Sequence, residues 1–172
     1  IAILIWLQSK DYYDNRKKEN FENHVHDTLF HIEKRISKYE NALQCGIALF
    51  HSSNHVNRQE WHRYITALQL EKNYPGVQGI GFSLMLKPKD VIPTIENIRT
   101  HDYATFTLTP AGKREQYSTI LYLEPMDKRN LQAIGYDMFS DPTRRKAMER
   151  ARDTGRSSVS GKVTLVQEID SD

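Results

Sequence analysis

A single cysteine, Cys45, stands in 172 residues, and that excludes an intramolecular disulfide. It leaves the compartment open, because exported domains without disulfides are common. An excess of charge of one sign is also missing. Lys and Arg number 24 against 22 Asp and Glu, for a formal net charge of +2. Without a broad basic field no nucleic-acid partner is expected. The signatures of several chemistries are absent. There is no Gly-x-Ser-x-Gly elbow for a nucleophile and no glycine-rich phosphate loop. His51 and His55 are four apart, but at a predicted helix break, and His24, His26 and His31 lie on the helix before it. No third ligand follows at metal-site spacing, so no metal is expected. Cys45, in mid-helix, reads as a packed thiol. The chain is therefore expected to be no enzyme, with no catalytic residue and no cofactor.

What is present is enough for one domain with an extension, at 38% hydrophobic and 27% charged residues. The apolar run Ile1-Ala2-Ile3-Leu4-Ile5-Trp6-Leu7 falls far short of the roughly 20 residues that span a bilayer. Residues 1–9 are expected to be the end of a transmembrane helix, with Trp6, Tyr12 and Tyr13 in the interfacial aromatic belt. The alternative is the frayed apolar end of a soluble helix. From Phe21 to Phe50 proline is absent, and Phe21, Val25, Thr28, Ile32, Ile36, Tyr39, Leu43, Gly46 and Phe50 recur at threes and fours. That spacing marks one helix face. The pattern predicts a stalk helix within residues 10–55, forming a homodimer through a coiled-coil-like seam or packing along its own domain.

His51-Ser52-Ser53-Asn54-His55 breaks this helix. Asn57 with Glu60 three positions on is a capping-box pattern that opens a second helix, carrying Trp61, Tyr64, Ile65 and Leu68 on one face. Pro75-Gly76 turns the chain after it. Val77–Leu86 reads as a strand thinned by Gly79 and Gly81, which fits close backbone approach or a bulge. A short helix is expected over Val91–Arg99, with strands over Thr105–Leu108, Tyr117–Leu123 and Val159–Gln167. Asp141-Pro142 forms an N-cap and N1 pair for a helix over Thr143–Asp153, which Gly155 ends. Hairpin-like connections favour an α+β fold, an antiparallel sheet with helices on one face. The final strand has no successor, and an open apolar edge invites pairing. The domain is therefore expected to continue past Asp172.

The segment Ile134-Gly135-Tyr136-Asp137-Met138-Phe139-Ser140 sets one acid among apolar neighbours. A carboxylate so placed is rarely buried without a partner. Asp137 is a ligand acceptor, a helix cap, or one half of an ion pair with Arg144, Arg145 or Arg129. On the helix that follows, Arg144, Arg145, Lys146, Arg150 and Arg152 alternate with Glu149 and Asp153, as on a solvated face laced by ion pairs.

Together these segments resemble the CHASE domain, the extracytoplasmic sensor of many histidine kinases and nucleotide cyclases. The resemblance is carried over about residues 35–172 by Tyr39 and Leu43, Leu49-Phe50, Ser52-Ser53, Val56, Arg58, Glu60-Trp61, Tyr64 and Tyr74-Pro75-Gly76-Val77-Gln78-Gly79-Ile80-Gly81-Phe82. It continues through Tyr122, Glu124-Pro125, Arg129-Asn130, Gly135-Tyr136-Asp137-Met138, Arg144-Arg145, Ala147-Met148, Ala151-Arg152-Asp153-Thr154-Gly155, Ser160-Gly161-Lys162-Val163 and Leu165-Val166-Gln167-Glu168. It implies a stalk helix rising from the membrane and a membrane-distal PAS-like subdomain over residues 56–172, with its last strand missing. It implies a small-molecule ligand, an adenine-type cytokinin among the candidates, and Asp137 in the position of the acid that accepts hydrogen bonds from the ring. Phe82, Leu84, Phe106, Tyr122 and Met138 are candidate walls, each also readable as plain core. Val159 and Ser160 match the lining strand, although Ser160-Gly161-Lys162-Val163 follows the bacterial pattern. The implied location is a periplasmic or extracellular one beside the inner or plasma membrane, and the implied output is two-component or cyclic-di-GMP signalling. The rival expectation is a dimerisation or spacer module without a ligand.

Overall fold

The structure is a computed structural model that describes residues 2–166. The chain divides into two compact units, residues 1–47 and 48–172. Helix α1 runs from Ala2 to Ser52, so the long proline-free pattern is one uninterrupted helix. In the first unit, Phe21, Val25, Leu29, Ile32, Ile36 and Leu43 are all exposed. No helix among the described residues is long and apolar enough to cross a membrane.

The second unit is built on two antiparallel strands, β1 (Ile80–Leu86) and β2 (Tyr117–Glu124). Phe82 pairs with Tyr122 and Ser83 with Ile120, so Leu121 is an extra residue at a bulge. β2 is buried along almost its whole length, as a strand covered on both faces should be. The segment 135–137 lies along the other edge of β2. The Gly135 amide donates to Ile120 O at 2.9 Å and the Ile120 amide to Tyr136 O at 3.0 Å. Beyond it, Thr109 forms a parallel bridge with Tyr136. Gly135 has φ +85°, and a Cβ there would run into the Thr107 carbonyl. Both the conformation and the close approach demand glycine.

Helix α2 (Arg58–Leu68) opens on the expected capping box. The Glu60 amide donates to Asn57 Oδ1 at 3.0 Å and the Asn57 amide to Glu60 Oε2 at 2.9 Å. It stops at Gln69, whose φ of +51° ends one helix and begins the short α3 (Leu70–Asn73). After β1, a 3-10 turn over Pro88–Asp90 leads into α4 (Val91–His101). A short α5 (Lys128–Leu131) follows β2, and α6 (Pro142–Thr154) follows the 135–137 segment. Asp141 caps α6, accepting from the amides of Thr143 and Arg144, and Gly155 ends it at φ +64°.

Mixed helix with an antiparallel sheet agrees with the expected α+β class. Two expected strands are corrected. Thr105–Leu108 forms no strand, and the bridge to Tyr136 is made by Thr109, one residue beyond it. Residues 159–166 are irregular, and the rest of that expected strand, Gln167, lies outside the described residues, as does Glu168. In both stretches apolar residues alternate with polar ones.

The core lies on the α2 side of the sheet. Trp61 packs with Tyr64, Phe50, Tyr122 and Phe82 at ring-centroid distances of 5.4, 5.8, 6.3 and 6.4 Å. Phe50, from the last turn of α1, stacks on Phe82 at 4.1 Å.

Candidate functional site

Strand alternation gives the sheet two unlike faces. Phe82 and Leu84 of β1 point with Tyr122 toward α2 and the aromatic cluster. The alternate positions, Gly79, Gly81 and Ser83, are small. Their face is left with little side-chain volume of its own, and a cleft of about 360 Å³ lies over it. Ile120 and Leu123 of β2 extend the floor. Ala133, Tyr136 and Met138 form one wall, Arg144 of α6 and Leu165 with Val166 another, and Val77 and Gln78 border the entrance to β1. On the opposite face a smaller cavity of about 230 Å³ is lined by Phe50, Val56, Phe82, Leu84, Ile98 and Tyr122, among others.

Asp137 is fully buried. Its Oδ1 accepts from the Ser118 amide at 2.8 Å and from the Phe139 amide at 3.0 Å, so it caps the 3-10 turn Met138–Ser140. Its Oδ2 lies 3.3 Å from Nη1 of Arg114, whose side chain is mostly buried. Its own amide donates to Thr109 O, and its carbonyl accepts from Ser140. The loop that delivers Arg114 is tied down as well. Its guanidinium donates to the carbonyls of Pro110 and Gly112, and its amide donates to the Tyr117 hydroxyl. The carboxylate therefore joins three segments of backbone and does not line the cleft. Among the alternatives open from the sequence, cap and ion pair hold together, and the cation is Arg114 in place of Arg144, Arg145 or Arg129.

The other expected residues are divided by the sheet. Met138 and Phe82 line the 360 Å³ cleft, whereas Tyr122 and Leu84 line the smaller cavity, which Phe82 also borders. Phe106 is buried beside Tyr103 and lines neither cavity. Val159 is 82% exposed, and the Ser160 hydroxyl donates to Gly161 O. Neither belongs to a lining strand, because residues 159–166 form none. Gly81, Ser83, Ile120, Tyr136, Arg144 and Leu165 were not expected at the cleft. A signal for the first two was present, since Gly79-x-Gly81-x-Ser83 puts small residues at a period of two and so empties one face of a strand.

Arg144 differs from its neighbours on α6. Arg145, Lys146, Arg150 and Arg152 are exposed, as a solvated face requires. The Arg144 side chain is only 14% exposed. Its Nη2 donates to Thr164 O at 2.9 Å and its guanidinium lies 5.8 Å from the Tyr136 ring. A second buried carboxylate, Glu124, meets Nδ1 of His62 at 3.1 Å and accepts from the Met126 amide. Among the described residues no group of three or more His, Cys, Asp and Glu could hold a metal.

The family model for the CHASE domain matches residues 54–172. The chain belongs to the CHASE domain family. CHASE domains are extracytoplasmic sensory domains of membrane signalling receptors. No curated protein matches the chain. The matched region begins just before α2 and takes in both faces of the CHASE sheet, the cleft, Asp137 and Arg114.

Tyr122, at the centre of the CHASE core, donates its hydroxyl to Val56 O at 3.1 Å. Burial pushes this phenol well above its ordinary value, and Asp102, Tyr103 and Glu60 push in the same direction. A group whose native pKa is raised contributes stability that is complete below its unfolded pKa and lost as pH rises toward the native value. Stability is therefore expected to fall above about pH 10, the unfolded tyrosine value. Tyr122→Phe should remove part of that alkaline slope, while losing about 1 kcal/mol at neutral pH with the hydrogen bond. Urea unfolding repeated across this pH range measures both, and an unchanged slope in the variant would sink the assignment.

Proposed function

We propose that this CHASE domain is the extracytoplasmic small-molecule sensor of a transmembrane receptor, and that its ligand sits in the cleft over Gly79, Gly81 and Ser83. The observation that carries the reading is the cleft itself. Its volume of about 360 Å³ falls in the range of small-molecule sites, and its lining is mostly apolar with a few polar groups, as such sites usually are. The domain acts by binding and not by catalysis. Kinase or cyclase output belongs to a cytoplasmic part of the receptor, and the N-terminal end of α1 belongs to its membrane anchor.

The relay runs through Phe82. This ring borders the cleft and stacks on Phe50 in the last turn of α1. A ligand that moves Phe82 has a packed route to the helix, provided that it binds two arrangements with different affinity. The exposed apolar residues of α1 between Phe21 and Leu43 favour a second copy of the stalk as partner, through a coiled-coil seam.

A side chain that fills the cleft tests this reading. Leu165→Trp, in one wall of the cleft, should leave the fold intact and abolish ligand-dependent output of the full receptor. Cysteine crosslinking along residues 21–50 should lose its ligand dependence in the same variant. Output that still follows the ligand after the cleft is filled would place the site elsewhere.

A further inference from the structure

The geometry points to an anionic ligand, a carboxylate carried on a small apolar body, with Arg144 as the group that reads its charge. This rests on the cleft being the ligand site. Among the described residues that line the cleft, Arg144 is the one with a formal charge. The other charged candidate, Asp137, does not line the cleft: its Oδ1 is taken by two backbone amides, and its Oδ2 faces Arg114 at 3.3 Å.

Arg144 is held, and its ion pair to Asp141, at 3.8 Å, is long and leaves Nε without a hydrogen bond. Its side chain is 14% exposed. Nη2 is anchored on Thr164 O at 2.9 Å. Nε is buried and makes no hydrogen bond, and the nearest carboxylate oxygen, Asp141 Oδ2, stands 3.8 Å from it. That Asp141 carboxylate is shared: its Oδ1 caps α6 through the amides of Thr143 and Arg144, and only Oδ2 is left for the guanidinium. A buried donor without an acceptor is costly, and a guanidinium offers a planar fork that suits a carboxylate. The apolar remainder of the cleft, from Ile120, Leu123, Ala133 and Met138, would take the body of the molecule. A cationic ligand would meet Arg144 across a low-dielectric gap, and like charges so placed repel.

The test is a charge series on one shape, in protein carrying the complete chain: phenylacetate, phenylacetamide and 2-phenylethylamine, with 6-benzylaminopurine as the adenine-type comparison. Binding is read by calorimetry or ligand-detected NMR. Phenylacetate should bind at least about tenfold more tightly than the amide, since a charged hydrogen bond contributes roughly 1.5–3 kcal/mol, and the amine should not bind. Arg144→Gln should remove that preference and Arg144→Lys should keep part of it. Leu165→Trp should abolish binding of every probe. Should Arg144→Gln fail to fold, the series on the unaltered protein decides the matter alone. If the amide or the purine binds as tightly as phenylacetate, and Leu165→Trp blocks it, the cleft is the site but its ligand is not an anion. If no probe shows binding that Leu165→Trp removes, the cleft reading falls and the anion with it.

Discussion

Asp137→Ala should cost the domain about 3–5 kcal/mol of stability, the loss typical when one half of a buried ion pair is removed. The substitution would leave the Ser118 and Phe139 amides without their acceptor and Arg114 without its counter-ion. Those groups belong to β2, the 3-10 turn and the 110–114 loop, so the damage reaches three segments at once. Asp137→Asn should be milder, about 1–3 kcal/mol, because its side-chain oxygen can still accept from the two amides while the charge is lost. Arg114→Met should also lose stability, since the buried carboxylate then keeps its two amides but has no cation beside it. Urea unfolding of the four proteins gives the comparison. An Asp137→Ala protein within about 1 kcal/mol of the parent would show that the carboxylate is not part of the frame.

Trp61→Ala is expected to have an effect of similar size, about 3–5 kcal/mol, as for other buried aromatic truncations. Trp61 is 4% exposed and touches rings from α1, α2, β1 and β2. Its loss removes the ring that locks α2 onto the sheet and leaves a cavity where Phe50 and Phe82 meet. Its indole Nε1 is buried without a hydrogen bond, so Trp61→Phe discards a polar group that contributes little. That conservative change should cost less than about 1.5 kcal/mol. Equal losses in the two variants would mean that the indole N–H, and not the ring volume, matters at this position.

These two positions show what the sequence could and could not disclose. Trp61 was legible. It directly follows an Asn-x-x-Glu capping box, and the capping box, the α6 cap at Asp141 and the stop at Gly155 are all local signals that the structure bears out. β1 and β2 were legible because each has its own run of apolar residues between turns. The expected strands at 105–108 and 159–166 rested on alternation alone, and alternation does not specify a pairing partner. Asp137 was legible as an unusual acid, but its partner was not. Arg114 lies 23 positions away in a loop whose course depends on the bridge from Thr109 to Tyr136. The cleft was not legible for a geometric reason. The large side chains Phe82, Leu84 and Tyr122 fill one face of the sheet, and the opposite face is defined by the small residues at the alternate positions.

The cation at the cleft had a weaker signal. Arg144 sits in a run of five basic residues, four of them exposed, and the run as a whole reads as a solvated face. Position decides the difference: Arg144 lies in the first turn of α6, beside the irregular segment that returns through Thr164 to Leu165.

The central claim is that the cleft over Gly79, Gly81 and Ser83 is the sensing surface and that Asp137 supports it from within. Phenylacetate binding measured side by side in the parent chain, Asp137→Asn and Leu165→Trp tests that claim most directly. The account predicts that Asp137→Asn, once shown to be folded, binds within about threefold of the parent, and that Leu165→Trp does not bind. Loss of binding in folded Asp137→Asn together with full binding in Leu165→Trp would contradict it.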